Sequence, residues 1–136
     1  MSEDPDLKFL NRSECLRLLA SATVGRVLFT HMSLPTAHPV TFVLDGNAVI
    51  FQTKDGSTLA EAVDNRVVSL EVDEVDIEQK RRWWINVIGN SHTVTDPAET
   101  DRLSGLPLLP WGSGEHQHFV RIKAQAIQGW RLRPAE

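Results

Sequence analysis

Residues Val67 to Val75 read Val-Val-Ser-Leu-Glu-Val-Asp-Glu-Val, so Val68, Leu70 and Val72 alternate with Ser69, Glu71 and Asp73. A period of two puts alternate side chains on opposite faces of an extended chain, with one face packed and the other left to solvent or a partner. An antiparallel sheet meets that demand and a helix does not. Further strand-forming runs flank this one. Val24–Thr30 and Ala37–Leu44 predict two strands joined by a turn near Ser33-Leu34-Pro35. Asp45-Gly46 separates two apolar runs, and glycine readily takes the positive φ of a tight hairpin, so the next strand is Ala48–Thr53. Trp83–Thr95 is long for a strand. Gly89 in its middle predicts a bend or bulge, a device that curls sheets into barrels. The last strand spans roughly His118–Leu132.

Three short helices fit between these strands. Asn11 followed by Glu14 has the pattern of a capping box and predicts a helix over residues 13–22. Ser57-Thr58 opens a small-residue helical pattern at Leu59, Ala60, Ala62 and Val63, and Asp96-Pro97-Ala98-Glu99 opens another short helix. Six strands with hairpin connections and only short helices predict a mostly β, antiparallel barrel or sandwich. At 136 residues and 15.2 kDa the chain suits a single domain over residues 1–136, with residues 1–11 expected as a flexible N-terminal extension.

Charge and cysteine usage narrow the partners. A net charge of -4 opposes a polyanion, and the run Lys80-Arg81-Arg82 follows Asp73, Glu74, Asp76 and Glu78, which marks a solvated loop rather than a nucleic-acid site. Cys15 is the only cysteine, so no internal disulfide forms and a reducing cytoplasm is expected; its apolar neighbours point to a buried, inert thiol. The start Ser2-Glu3-Asp4-Pro5-Asp6 lacks the basic and apolar segments of a secretion signal, and no apolar run approaches the roughly 20 residues that span a bilayer.

Candidate chemistry is sparse. His116 and His118 share a strand face but lack third and fourth ligands, so no metal site is expected. Ser57 and His38 carry no nucleophile-elbow signature. Thr53-Lys54-Asp55-Gly56-Ser57-Thr58 joins a strand end to hydroxyls at a helix start, an arrangement that holds phosphate, although its spacing equally suits a capped turn and is not that of a P-loop. Trp83, Trp84, Trp111 and Trp130 serve core, interface or ring stacking, and sequence alone favours core and interface.

The order of these pieces resembles the FMN-binding, pyridoxamine 5′-phosphate oxidase-like family of six-stranded split β-barrels. Cys15–Leu19 running into Thr23–Val27 is similar to its opening helix and first strand. His38-Pro39-Val40-Thr41-Phe42, then Ile50–Thr53 with Gly56-Ser57, is similar to its second and third strands and phosphate loop. Glu71–Asp76, Trp83–Gly89, Phe119–Ile122 and Gly129–Leu132 complete a likeness over about residues 12–132. The resemblance implies a homodimer with FMN in the grooves between subunits. Pro39, Val40, Thr41 and Phe42 would lie along the isoalloxazine ring, and Thr53, Lys54, Ser57 and Thr58 would lie near the phosphate. Trp130 and Arg131 would approach from the partner. It further implies a flavin-dependent oxidoreductase acting on a small-molecule substrate, with reduced nicotinamide as electron source.

Four positions depart from the family pattern: Thr58 replaces a frequent lysine, Thr41 an asparagine, Trp84 a serine and Ile88 an arginine. A bulky Trp84 would fill part of the pocket. These departures keep open a non-catalytic binding module of the same fold that carries flavin, deazaflavin or haem, or no cofactor. The conceivable haem ligands are His31, His38, His92, His116 and His118.

Overall fold

A computed structural model describes residues 6–110 and 116–133, which leaves Trp111 outside the described residues. The strands are β1 (Leu7–Leu10), β2 (Val24–His31), β3 (Leu34–Thr41), β4 (Val43–Asp45), β5 (Ala48–Lys54), β6 (Arg66–Asp76), β7 (Arg81–Thr93), β8 (Gln117–Ile122) and β9 (Ala126–Leu132). The helices are α1 (Arg12–Ser21), α2 (Thr58–Val63) and α3 (Pro97–Leu103). Local chemistry sets the helix starts. Asn11 and Glu14 exchange the two hydrogen bonds of a capping box, Ser57 accepts from the Ala60 amide, and Asp96 accepts from the Glu99 amide. Each such cap contributes about 1 kcal/mol.

All pairings are antiparallel, in the order β3-β2-β6-β7-β8-β5-β4. A single residue, Phe42, separates β3 from β4, so one nearly continuous segment pairs with β2 over Leu34–Thr41 and with β5 over Val43–Asp45. This closes the ring with six walls, as the pattern predicts. The expected dry face of β6 lies inside, with Val68, Leu70 and Val72 at 3% exposure or less. Val27, Val49, Phe51, Ile85, Val87, Val120 and Ile122 complete the barrel core. A smaller cluster of Ile50, Val94, Leu103 and Phe119 seats α3 outside the barrel. Arg102 on α3 binds Asp45 and Glu99, and Arg121 on β8 reaches the same two carboxylates.

Among the described residues there are nine strands rather than six, for three physical reasons. The break at Phe42, whose side chain enters the core at 1% exposure, divides the expected second strand. The expected last strand is divided at residues 123–125 by a bulge, where three residues stand against Gly89 and Asn90 of β7. Lys123 N donates to the Asn90 carbonyl and Gln125 N to the Ile88 carbonyl, both at 2.9 Å. The bulge presses against Gly89, where a Cβ would lie 1.6 Å from the Lys123 carbonyl oxygen. The bulge expected at Gly89 therefore lies opposite it, on the neighbouring strand. The β6–β7 register runs unbroken from Arg66–Ser91 to Asp76–Arg81, while along the other edge of β7 the bulge separates β8 from β9.

The third reason is β1. Leu7–Leu10, expected within a flexible extension, instead pair with β9 from Leu7–Leu132 to Leu10–Gly129. Gly129 lets Leu10 and Cys15 close in: a Cβ there would meet Cys15 Sγ at 2.5 Å. Cys15 is buried as expected, and burial raises its thiol above the ordinary range. The β2–β3 turn also differs from expectation. Met32 and Ser33 form it, both at positive φ, and Leu34 and Pro35 already belong to β3.

The outer face of β2, β6 and β7 is mixed. Arg26 lies 3.2 Å from Glu71 and 3.4 Å from Asp73. Burial, with the adjacent Asp73 carboxylate, raises Glu71 to about 7 against the opposing pull of Arg26. Among the described residues, no helix is long and apolar enough to cross a membrane.

Candidate cofactor groove

β3, the end of β5 and the start of α2 meet around a cavity of about 450 Å³, within the range that holds small ligands and cofactors. β3 is an edge strand, which is why it tolerates Pro35 and Pro39 without losing ladder hydrogen bonds. Its residues Thr36, His38, Pro39, Val40 and Thr41 form one wall. Gln52, Thr53 and Lys54 form the second, and Ser57, Thr58 and Leu59 close the end. Phe29, Pro110 and Gln117 complete the lining.

Seven sequence-predicted residues thus come together: Pro39, Val40, Thr41, Thr53, Lys54, Ser57 and Thr58. Phe42 does not join them, because the break between β3 and β4 turns its side chain into the barrel core. Trp130 and Arg131 lie on β9, away from this groove. Trp130 stacks on Trp84 at 5.7 Å with a 22° interplanar angle, and Phe9 flanks it at 6.4 Å. Trp84 therefore does not fill the groove of its own chain. Ile88 likewise lies elsewhere, in an outer-face groove with Leu28 and Ala37.

The groove's polarity is concentrated at one end. Among the described residues that line the groove, Lys54 alone carries a permanent charge, and no carboxylate joins it there. The Ser57 hydroxyl accepts from the Ala60 amide and keeps its own proton to donate. Thr53 is 2% exposed, and its hydroxyl has no partner. An unpaired buried hydroxyl costs about 1–3 kcal/mol, and an oxygen or ring nitrogen of a bound molecule would satisfy it. The Thr41 hydroxyl is already committed, donating to the Leu109 carbonyl at 2.7 Å and tying the segment after α3 to the groove wall.

Sequence reasoning missed His38, Gln52 and Gln117 as groove residues. His38 is two residues from Val40 and Gln52 two from Lys54, so the period-two rule applied to the predicted site would have found both. Gln117 follows from the pairing of Lys54 with Gln117, which only the fold reveals. His38 Nδ1 lies 2.9 Å from the Pro39 carbonyl, an acceptor, so Nδ1 carries a proton in this contact. Of the other histidines, His118 sits 3.7 Å from Asp55, and His31 lines a separate cleft beside the Met32–Ser33 turn.

A split β-barrel with an apolar groove, one cation at its end and an edge strand along its side defines a class of small cofactor-binding proteins. The chain belongs to the pyridoxamine 5′-phosphate oxidase family, whose family model matches residues 11–136. An uncharacterized Mycobacterium tuberculosis protein is 33% identical over 128 residues, covering 90% of this chain and 84% of its own. The solved FAD binding protein from Mycobacterium smegmatis superposes with a TM-score of 0.82 at 33% identity, over 93% of this chain and all of its own. A Corynebacterium diphtheriae protein of unknown function superposes with a TM-score of 0.80 at 29% identity, over 95% of this chain and 99% of its own.

Proposed function

We propose that the protein is a flavoprotein that holds FMN in the groove between β3, β5 and α2 and acts as a flavin-dependent oxidoreductase on a small molecule. The observation that carries this reading is the groove's polarity, an apolar β3 wall leading to Lys54, Ser57 and Thr58. A flat tricyclic ring suits the wall formed by Pro39, Val40 and Thr41, and one phosphate suits one ammonium and two hydroxyls. The orphan Thr53 hydroxyl would donate to a ligand oxygen between the two ends. Lys54 takes over the charge that Thr58 lacks.

When bound, a flavin accepts a hydride equivalent and passes the electrons on; reduced nicotinamide is the proposed donor. The chain's part is to bind and orient the ring and to exclude water from it. His38, with Nδ1 held by the Pro39 carbonyl, presents Nε2 to a molecule in the groove. The FAD of the M. smegmatis relative supports a second reading, in which the flavin is FAD. The unpaired edge of β3 supports a homodimer, in which Trp130 and Arg131 of the partner subunit would cover the ring. A single buried cysteine suits work in a reducing cytoplasm.

The test is the visible spectrum of the purified protein before and after FMN is added, with any flavin released on denaturation separated chromatographically. Micromolar or tighter FMN binding is expected, with loss of binding in Ser57→Glu/Thr58→Glu while the fold is kept. No flavin spectrum with excess FMN or FAD overturns the proposal, and release of FAD alone replaces FMN by FAD.

A further inference from the structure

Strands β6, β7 and β9 run on past the end of the barrel core. The face that buries Val72 and Ile85 continues at Glu74, Trp83 and Arg131, which lie in one cross-strand row, and β1 extends that row with Lys8 directly opposite Arg131. Two residues further out, the same face carries Asp76 opposite Arg81, with Arg133 just beyond β9. Glu74, Asp76, Arg81, Trp83, Arg131 and Arg133 line a cleft of about 240 Å³. Three arginines of that face, Arg81, Arg131 and Arg133, stand there against two carboxylates, Glu74 and Asp76. Trp83 is the remaining broad surface in the lining.

The pairing inside this cleft is incomplete. Among the described residues its only ion pair within 4.0 Å is Arg81–Asp76, at 3.8 Å. Arg82 turns to the opposite face, over the Trp84 ring at 5.0 Å, and among the described residues no carboxylate stands within 4.0 Å of Arg131 or Arg133. Like charges directly opposite each other destabilise a strand pair, as Lys8 and Arg131 do here. The chain as a whole carries a net charge of -4, so this concentration of unpaired cations is local and does not follow from composition. Guanidinium forks match the oxygens of phosphate bidentately, and several around one cavity complement a multivalent oxyanion.

We infer that this cleft at the β6–β7–β9 end binds a multivalent phosphate group, inorganic or carried by a nucleotide, at a site separate from the flavin groove of the same subunit. Bound there, the anion relieves the repulsion between Lys8 and Arg131 and bridges β1, β7 and β9. The inference does not need flavin to be bound, but it shares Arg131 with the proposed dimer, and Arg81 and Arg133 are the residues that separate the two readings.

The experiment titrates inorganic pyrophosphate and, in a parallel arm, adenosine 5′-diphosphate into the purified protein at low ionic strength, reading melting temperature and tryptophan fluorescence. Saturable binding is expected, at least tenfold weaker in Arg81→Gln/Arg133→Gln and unchanged in Lys54→Ala. Tighter binding of the nucleotide assigns a nucleotide as the source, and equal binding assigns the phosphate groups alone. Lys8→Gln, at an exposed position on β1 that pairs with Arg131, gives a second reading if the double variant fails to fold. Absence of saturable binding at millimolar ligand overturns the inference, as does binding that is lost in Lys54→Ala but kept in the arginine variant.

Discussion

Thr53 and Glu71 are two side chains whose surroundings leave a debt in the folded chain. Thr53 buries an unpaired hydroxyl at the groove wall. Replacing it with the near-isosteric valine removes that cost, so Thr53→Val is expected to raise stability without ligand by about 1 kcal/mol. The same substitution removes a donor from the groove, and flavin affinity is expected to fall about five- to tenfold, a loss of about 1 kcal/mol. Thermal melts with and without FMN check both signs. Glu71 is held at about 7 by burial and by Asp73. A carboxyl raised in the folded state contributes stability below its unfolded value, near 4.5, and that contribution is lost as pH rises through 7. Glu71→Gln is therefore expected to melt increasingly higher than the parent between pH 5 and pH 8, with the gap constant above. An equal gap at both pH values would assign the effect to packing instead.

At the scale of elements, the legible parts were those fixed by near neighbours. Asn11 with Glu14, Ser57 and Asp96 mark their helices because a cap is closed within three residues. The Val68, Leu70, Val72 face of β6 is legible because period two needs no knowledge of its neighbours. Two features depend on distant partners and left no local trace. Phe42 divides β3 from β4 because β2 and β5 claim the two sides. Leu7–Leu10 is too short to show alternation and is a strand only through β9. Gly89 did mark a bulge, but that the bulge sits across from it, at residues 123–125, depends on the strand β7 pairs with. Gly89→Ala drives a methyl group into the Lys123 carbonyl and is expected to cost about 3 kcal/mol or more, lowering the melting temperature by about 10 °C. Circular dichroism melts check this, and a loss below 1 kcal/mol would show that residues 123–125 move aside freely. The groove was legible in the same measure: residues on β3, β5 and α2 meet because each element was placed correctly, whereas Trp130, expected from the partner subunit by resemblance, stands on β9 outside the groove of its own chain.

For the molecule as a whole, the proposed dimer and the proposed cofactor are linked. β3 leaves an edge unpaired, and large apolar side chains such as Val24, Leu28 and Val67 stand exposed on the outer face, at 45%, 41% and 66%. Exposed edges and apolar patches of this kind are ordinarily covered. Light scattering after gel filtration is expected to give twice the 15.2 kDa chain mass; a mass of one chain at micromolar concentration would remove the partner's Trp130 and Arg131 from the site. If flavin binds only the folded protein, free FMN at 100 times its Kd is expected to add about 2.7 kcal/mol of stability.

The segment that bulges opposite Gly89 also sets the order in which the molecule can be completed as it leaves the ribosome. β5 waits for β8, and most of β7 waits for β9, yet both partners come from residues 117–132, the last part of the described chain to be synthesised. β1, made first, has nothing to pair with until β9 arrives. A nascent chain that has emerged only as far as α3 therefore holds an open sheet with two unsatisfied edges, the condition in which strands pair with the wrong neighbour. Closure is expected late, because the β8–β9 segment is the partner of β5, β7 and β1 alike.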